Sequence, residues 1–150
     1  MANTSLEVII AAFTAAFTAQ ILKLFFYYLR NKKINFKLLA ETGGMPSSHS
    51  AGVVALSTSV GLILGFDSVD FAIAFGYAMI VMYDAAGLRR STGQIAAQLN
   101  RVVDTLWTTQ RPYHSKDKLM ELLGHTPLEV FMGALLGITI SLLFHYSLLS

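Results

Sequence analysis

The chain has 150 residues, of which 54% are hydrophobic and 13% charged, with a formal net charge of +2 and no cysteine. Soluble domains average about 25% charged residues, so this composition excludes an ordinary soluble domain and points to the membrane. Absent cysteine excludes disulfides, thiolate nucleophiles and zinc sites of the Cys type, and so small a net charge argues against a nucleic-acid partner.

In chain order, residues 6–29 are almost continuously apolar, longer than the roughly 20 residues that cross a bilayer. The first Lys or Arg is Lys23, so the basic n-region of a secretory signal is lacking, and residues 1–30 are expected to stay in the mature protein. Lys23 and Arg30 stand seven residues apart, about two helical turns, and project from one face roughly 10 Å apart along the axis. Both either snorkel to headgroups or hold an anion. A basic loop (Arg30, Lys32, Lys33, Lys37) follows.

Residues 43–52 are polar and turn-forming within apolar surroundings. Gly43 and Gly44 are suited to positive φ, which turns successive N–H groups into one concavity. Pro46 and Ser47 read as a helix start whose positive end faces the same place. A phosphate fits such a corner, with His49 beside it as a group that gives or takes a proton near neutral pH. The alternative is a serine-capped loop with no ligand.

Span two is expected over 47–66, with Gly52, Ser57, Gly61 and Gly65 as small residues that admit a close neighbour. A tight turn leads to span three, 69–88, which carries Asp84 near its end. That carboxylate is expected at headgroup level, paired with Arg89 or Arg90; a helix-end salt bridge accounts for it as well as a catalytic role does. Over 91–107 the apolar residues Ile95, Leu99, Val102, Val103 and Leu106 recur at helical spacing opposite Gln94, Gln98, Arg101 and Asp104, the pattern of a helix lying flat on the membrane. A turn over 111–116, with His114 as a solvated loop histidine, and short helical turns over 118–123 complete this region.

Span four is expected over 127–149, with His145 meeting headgroups. Its start is a second polar constellation: Thr126 as N-cap, Pro127 at the first helical position and Glu129 closing a capping box. Capping leaves His125 unexplained; Glu129 either closes the cap or bonds one imidazole nitrogen, leaving the other free to attack. Four spans put both polar constellations, and with them all 11 Lys and Arg, on one side of the membrane. The positive-inside rule makes that side cytoplasmic and places both termini opposite. The expected fold class is thus an all-α integral membrane protein, about four transmembrane helices plus an interfacial amphipathic helix and a short helix, forming a single unit with its site at one membrane face.

Lys23, six residues, Arg30; Pro46-Ser47-Ser48-His49; and His125, three residues, Glu129 together resemble the ordered three-part signature of the type 2 phosphatidic acid phosphatase superfamily, which includes the vanadium haloperoxidases. The chain is similar to that superfamily's small, divergent bacterial branch. It departs from the pattern at Asn31 for Pro, Ser48 for Gly, Glu129 for Asp, and Leu119 where the third motif has Arg, so Arg89 or Arg90 is the candidate replacement cation.

The resemblance implies a membrane lipid phosphatase that needs no metal and no cofactor. Lys23, Arg30, Arg89 or Arg90, Gly44, Ser47 and Ser48 would bind the phosphate, His125 would attack phosphorus, His49 would protonate the leaving oxygen, and Glu129 would orient His125. The rival readings are a noncatalytic lipid-headgroup binder or transporter and a vanadate-dependent peroxidase. Superfamily members typically wall the site with six helices, so four leave an open side. Gly133 and Gly137, with Gly61 and Gly65, either supply a homodimer surface that covers it or pack spans two and four within one chain.

Overall fold

The computed structural model describes residues 5–33, 44–107, 118–120 and 124–149. The described residues form five helices and no strand: α1 (Ser5–Asn31), α2 (Ser48–Leu64), α3 (Val69–Ala86), α4 (Leu88–Trp107) and α5 (Pro127–Leu149). Three helical segments, beginning at Ser5, Val69 and Pro127, are long and apolar enough to cross a membrane. The 17-residue α2 is a shorter apolar helix, at the lower end of the spanning range of about 17–25 residues. It packs against α1, α3 and α5 and is the centre of an all-α membrane bundle.

Two rows of every fourth residue build the core. On α1, Glu7, Ala11, Ala15, Ala19 and Lys23 are buried, while Phe13 and Phe17 on the other side are 74% and 67% exposed, facing lipid. A four-residue step turns a helix by about 40° beyond a full turn, so the row winds and α1 wraps obliquely on its neighbours. On α5 the row is Glu129, Gly133, Gly137, Ser141 and His145.

The α5 row climbs α2 in register. A Cβ on Gly133 would strike the Ser47 carbonyl oxygen, one on Gly137 would lie 2.5 Å from the Ala51 carbonyl oxygen and 2.9 Å from the Ala55 nitrogen, and Ser141 Oγ donates to the Ala55 carbonyl at 2.7 Å. The constant offset of 86 residues makes α2 and α5 parallel neighbours in near backbone contact. Ser59 Oγ, which donates to Ser141 Oγ at 3.1 Å, closes the lower part of this seam. Gly133 and Gly137 are therefore used inside the chain, and Gly61 faces Phe66 of the following turn and Phe71 of α3. Any second copy of the chain has to meet a different surface.

Ionisable groups sit at the ends of both rows. At one end Glu7 Oε1 and His145 Nδ1 are 3.1 Å apart and tie the start of α1 to the end of α5, so His145 meets a buried carboxylate instead of headgroups. The opposite end gathers the α1 C-terminus and the starts of α2 and α5.

The amphipathic helix begins at Leu88, directly after Gly87, so Arg89 and Arg90 lie in its first turn and not in a preceding loop. α4 packs on α3 alone among the described helices and turns Leu88, Ile95, Leu99 and Val102 outward, the apolar row that a membrane-surface helix needs. The short helix expected at 118–123 is absent from 118–120, which has no regular structure; 121–123 lies outside the described residues. The cause is a side-chain clamp: Asn100 Nδ2 donates to the Leu119 carbonyl (2.9 Å) and Asn100 Oδ1 accepts from the Leu119 N–H (3.0 Å), so Leu119's backbone is paired with α4 instead of with its own chain. Lys118 Nζ adds an ion pair with Asp104 at 2.7 Å. The turn expected at 111–116, with His114 in it, and Lys37 and Gly43 of the first loop also lie outside the described residues.

Candidate active site

The capping box expected at 126–129 is formed. Glu129 N–H donates to Thr126 Oγ1 at 3.3 Å and Glu129 Oε2 accepts from Thr126 N–H at 3.0 Å. The same carboxylate oxygen lies 3.2 Å from His125 Nδ1. One Glu129 side chain thus closes the cap and binds the imidazole, so the two alternatives are a single arrangement. A carboxylate only accepts, so Nδ1 carries the proton and Nε2 is left with its lone pair. His125 is 3% exposed, and its Nε2 is buried with no hydrogen-bond partner among the described residues.

The loop before α5 is docked from both sides. His125 N–H donates to the Ala85 carbonyl at the end of α3 (2.9 Å). Gly124, at φ +84, lies so close to the backbone of Arg89 and Arg90 that a Cβ would overlap it. Only glycine meets both demands. From the other side, Ser47 N–H donates to the Glu129 carbonyl at 3.0 Å, joining the Pro-Ser-Ser-His segment to the α5 start.

That segment is built around Ser47. It is the N-cap of α2, accepting at Oγ from Ser50 N–H (3.3 Å) and from Ser50 Oγ (3.0 Å), and it is fully buried. Ser48 is buried too, whereas His49 is exposed and faces the α3–α4 junction.

Two adjoining hollows result. The first, about 20 Å³, is lined by His49, Asp84, Arg89 and His125, with Val81 and Ala85. It has room for about one water. Asp84 holds Arg89 there by a 2.6 Å bond from Nε, the pairing anticipated for that carboxylate. The second, about 430 Å³, is lined by Lys23, Arg30, Gly44, Glu129 and neighbours including Tyr27 and Asn31. Gly44, at φ +93, lies beside the Lys23 stem: a Cβ added there would sit 3.3 Å from the Lys23 Cγ and Cδ. Lys23 is 3% exposed, so a cation is fixed in the wall.

The hollows meet across the His125–Glu129 pair. Lys23 and His49 both act on His125 electrostatically, and Arg89, Lys23 and Asp84 act on His49. Burial holds the His125 imidazole below its ordinary value of 6.5, against the raising effect of the Glu129 hydrogen bond and charge. The neutral form of His125 is thereby favoured. Of the expected residues, His49, His125, Glu129, Lys23, Arg30, Gly44, Asp84 and Arg89 line one hollow or the other; Ser47, Ser48 and Arg90 line neither. Tyr27 was not singled out from the sequence and Asn31 was noted only as a departure from the family pattern, although both continue the four-residue row from Lys23.

An amphipathic helix against a membrane bundle, a capped histidine facing cations at one end and an ordered Lys-Arg, Ser-His and His-Glu series define a phosphatase-like membrane fold. The chain matches, over residues 4–140, the family described as the Divergent PAP2 family, and it belongs to that family. It is 39% identical over 147 residues to YuiD of Bacillus subtilis (strain 168), described as an uncharacterized membrane protein, which covers 92% of this chain and 93% of that one. No solved structure matches the chain.

Proposed function

We propose that this protein is an integral-membrane lipid phosphatase that hydrolyses a lipid phosphomonoester or pyrophosphate through a phosphohistidine. The observation that carries the reading is His125: a buried imidazole with Nδ1 fixed by Glu129 and an Nε2 that has no hydrogen-bond partner among the described residues, in a wall with Lys23 and Arg89 nearby. In the proposed reaction Nε2 forms a bond to phosphorus as the ester or anhydride bond breaks, and His49 gives its proton to the leaving oxygen. Water, giving a proton to the now-deprotonated His49, then attacks phosphorus and breaks the P–N bond, releasing phosphate and restoring both imidazoles. Lys23, Arg30 and Arg89 offset the charge on the phosphate oxygens, the chief requirement of phosphoryl transfer. Arg89 is the assigned replacement for the third-motif cation because it lines the histidine cleft and Arg90 does not. A group larger than the water-sized cleft holds requires the exposed His49 and Arg89 side chains to move aside.

Phosphate release from phosphatidate, phosphatidylglycerophosphate and polyprenyl pyrophosphate, measured in detergent with a chelator present, tests this directly. Activity is expected without divalent metal, and vanadate is expected to inhibit by adopting the geometry of the transition state. Activity that vanishes with chelator removes the mechanism. Leu119, where the superfamily signature has a cationic residue, favours a second reading, a headgroup binder on the same fold; tight lipid-phosphate binding with no turnover selects it.

The site is further proposed to face the cytoplasm of a cell-membrane protein, with both termini on the other side, because all 11 Lys and Arg fall on the site side of the four-span arrangement. The protein has no cysteine, so single cysteines report cleanly. Lys33→Cys is expected to resist an impermeant thiol reagent in intact cells and Ser68→Cys to react; labelling of the Lys33 position reverses the orientation.

A further inference from the structure

Among the described residues, nothing closes the cationic pocket toward the bilayer. Below it, between α1 and α5, runs an apolar groove of about 220 Å³, bounded by Leu22 and Phe26 on one helix, by Met132, Leu135 and Thr139 on the other, and by Met45 at the top. Phe26 and Met45 also line the pocket that holds Lys23 and Arg30. The two hollows are therefore one continuous depression, charged at the membrane face and apolar along the bundle. Thr139 does not interrupt it, because its hydroxyl donates to the Leu135 carbonyl at 2.8 Å and leaves the methyl to the groove.

Three features bear on what fills it. The glycines of α5 that would bring a second helix close are turned toward α2. The seam is pinned at the far end by Glu7 and His145, so the gap lies on the phosphate side. The other large apolar hollow, between α1, α2 and α3, has Asp70 in its wall with Ile63 and Tyr77, which repels an anionic headgroup, and it shares no lining residue with the cationic pocket. Among the described hollows, one apolar path leaves the phosphate pocket.

We propose that the α1–α5 groove holds the single hydrocarbon chain of the substrate, which slides sideways between these helices, so that the preferred class is a phosphate or pyrophosphate of one long chain and not a two-chain glycerolipid. This rests on the phosphatase reading. The open side left by a four-span bundle is then the substrate's own channel.

Leu135→Trp and Thr139→Trp, each on the lipid-facing rim of α5, test it in the full-length protein. Against wild type, each is expected to lower kcat/KM for polyprenyl phosphate by about tenfold or more while leaving the rate on water-soluble phenyl phosphate unchanged. Wild type is expected to prefer polyprenyl phosphate to dioleoyl phosphatidate. Equal losses on both substrates, no loss on either, or preference for phosphatidate overturns the proposal. Photo-crosslinking with a polyprenyl phosphate bearing a diazirine in its chain gives a readout independent of turnover. Label on 22–26 and 132–139 supports the groove even in a protein that cleaves nothing, which would sink only the phosphatase reading. Label around Ile63 and Tyr77 overturns the groove even in an active enzyme.

Discussion

His125→Ala is expected to lower lipid-phosphate turnover by at least about a hundredfold, the scale on which nucleophilic or acid-base groups contribute, and to leave the protein folded. The substitution removes the unpartnered Nε2 but keeps the backbone bond from residue 125 to the Ala85 carbonyl and the Thr126–Glu129 cap. His49→Ala is expected to act on the same scale, since it removes the proposed acid from the exposed first turn of α2 without touching the Ser47 cap. Wild-type rates in a folded His125→Ala protein remove the phosphohistidine. The pH profile adds a sign. Attack requires neutral His125, and burial lowers its pKa, so its acid limb lies below the ordinary 6.5 and activity is lost as pH falls through it. Glu129 opposes that lowering. Glu129→Gln should therefore move the limb to still lower pH while reducing the plateau, because the amide no longer orients the imidazole as a carboxylate does. Comparing the two proteins on one substrate cancels the titration of the substrate's own phosphate. A limb that moves upward in Glu129→Gln contradicts the assigned pairing.

The polar constellations were legible because an apolar sequence makes each ionisable residue conspicuous. Lys23, Arg30, His49, His125 and Glu129 needed only their spacing and the four-span count to be placed at one end, and they line the adjoining hollows found there. What spacing cannot carry is the angle between elements. Whether Arg89 or Arg90 lines the cleft depends on how the chain breaks at Gly87, at φ −107 and ψ −82, a choice of one residue in a helical turn. Over 118–120 the helical pattern failed for a related reason: Leu119's backbone is paired with Asn100, a partner far away in sequence that no local period reveals. His145 illustrates the limit of reading helix ends as headgroup contacts, since it looks like an interfacial residue until the antiparallel α1 and α5 bring it to Glu7.

Gly137→Leu is expected to destabilise the bundle by ~3 kcal/mol or more and, combined with Gly133→Leu, to prevent folding. A small-residue repeat reads the same from sequence whether it packs helices within a chain or between chains, so the consequence of filling it separates the two uses. Here the neighbours of an added Cβ are backbone: the Ala51 carbonyl oxygen at 2.5 Å and the Ala55 nitrogen at 2.9 Å, with the Ser47 carbonyl oxygen against Gly133. Backbone in the middle of a helix cannot rotate away as a side-chain end does, so relief requires α2 and α5 to separate. Separation breaks the Ser141 bond to the Ala55 carbonyl and draws the Ser47 N–H away from Glu129, which disturbs the cap that holds His125. Loss of activity and loss of thermal stability are expected together, unlike the His125 substitution, which separates them. A double leucine variant that keeps its melting temperature and merely changes mass in detergent would assign these glycines to an interface between copies.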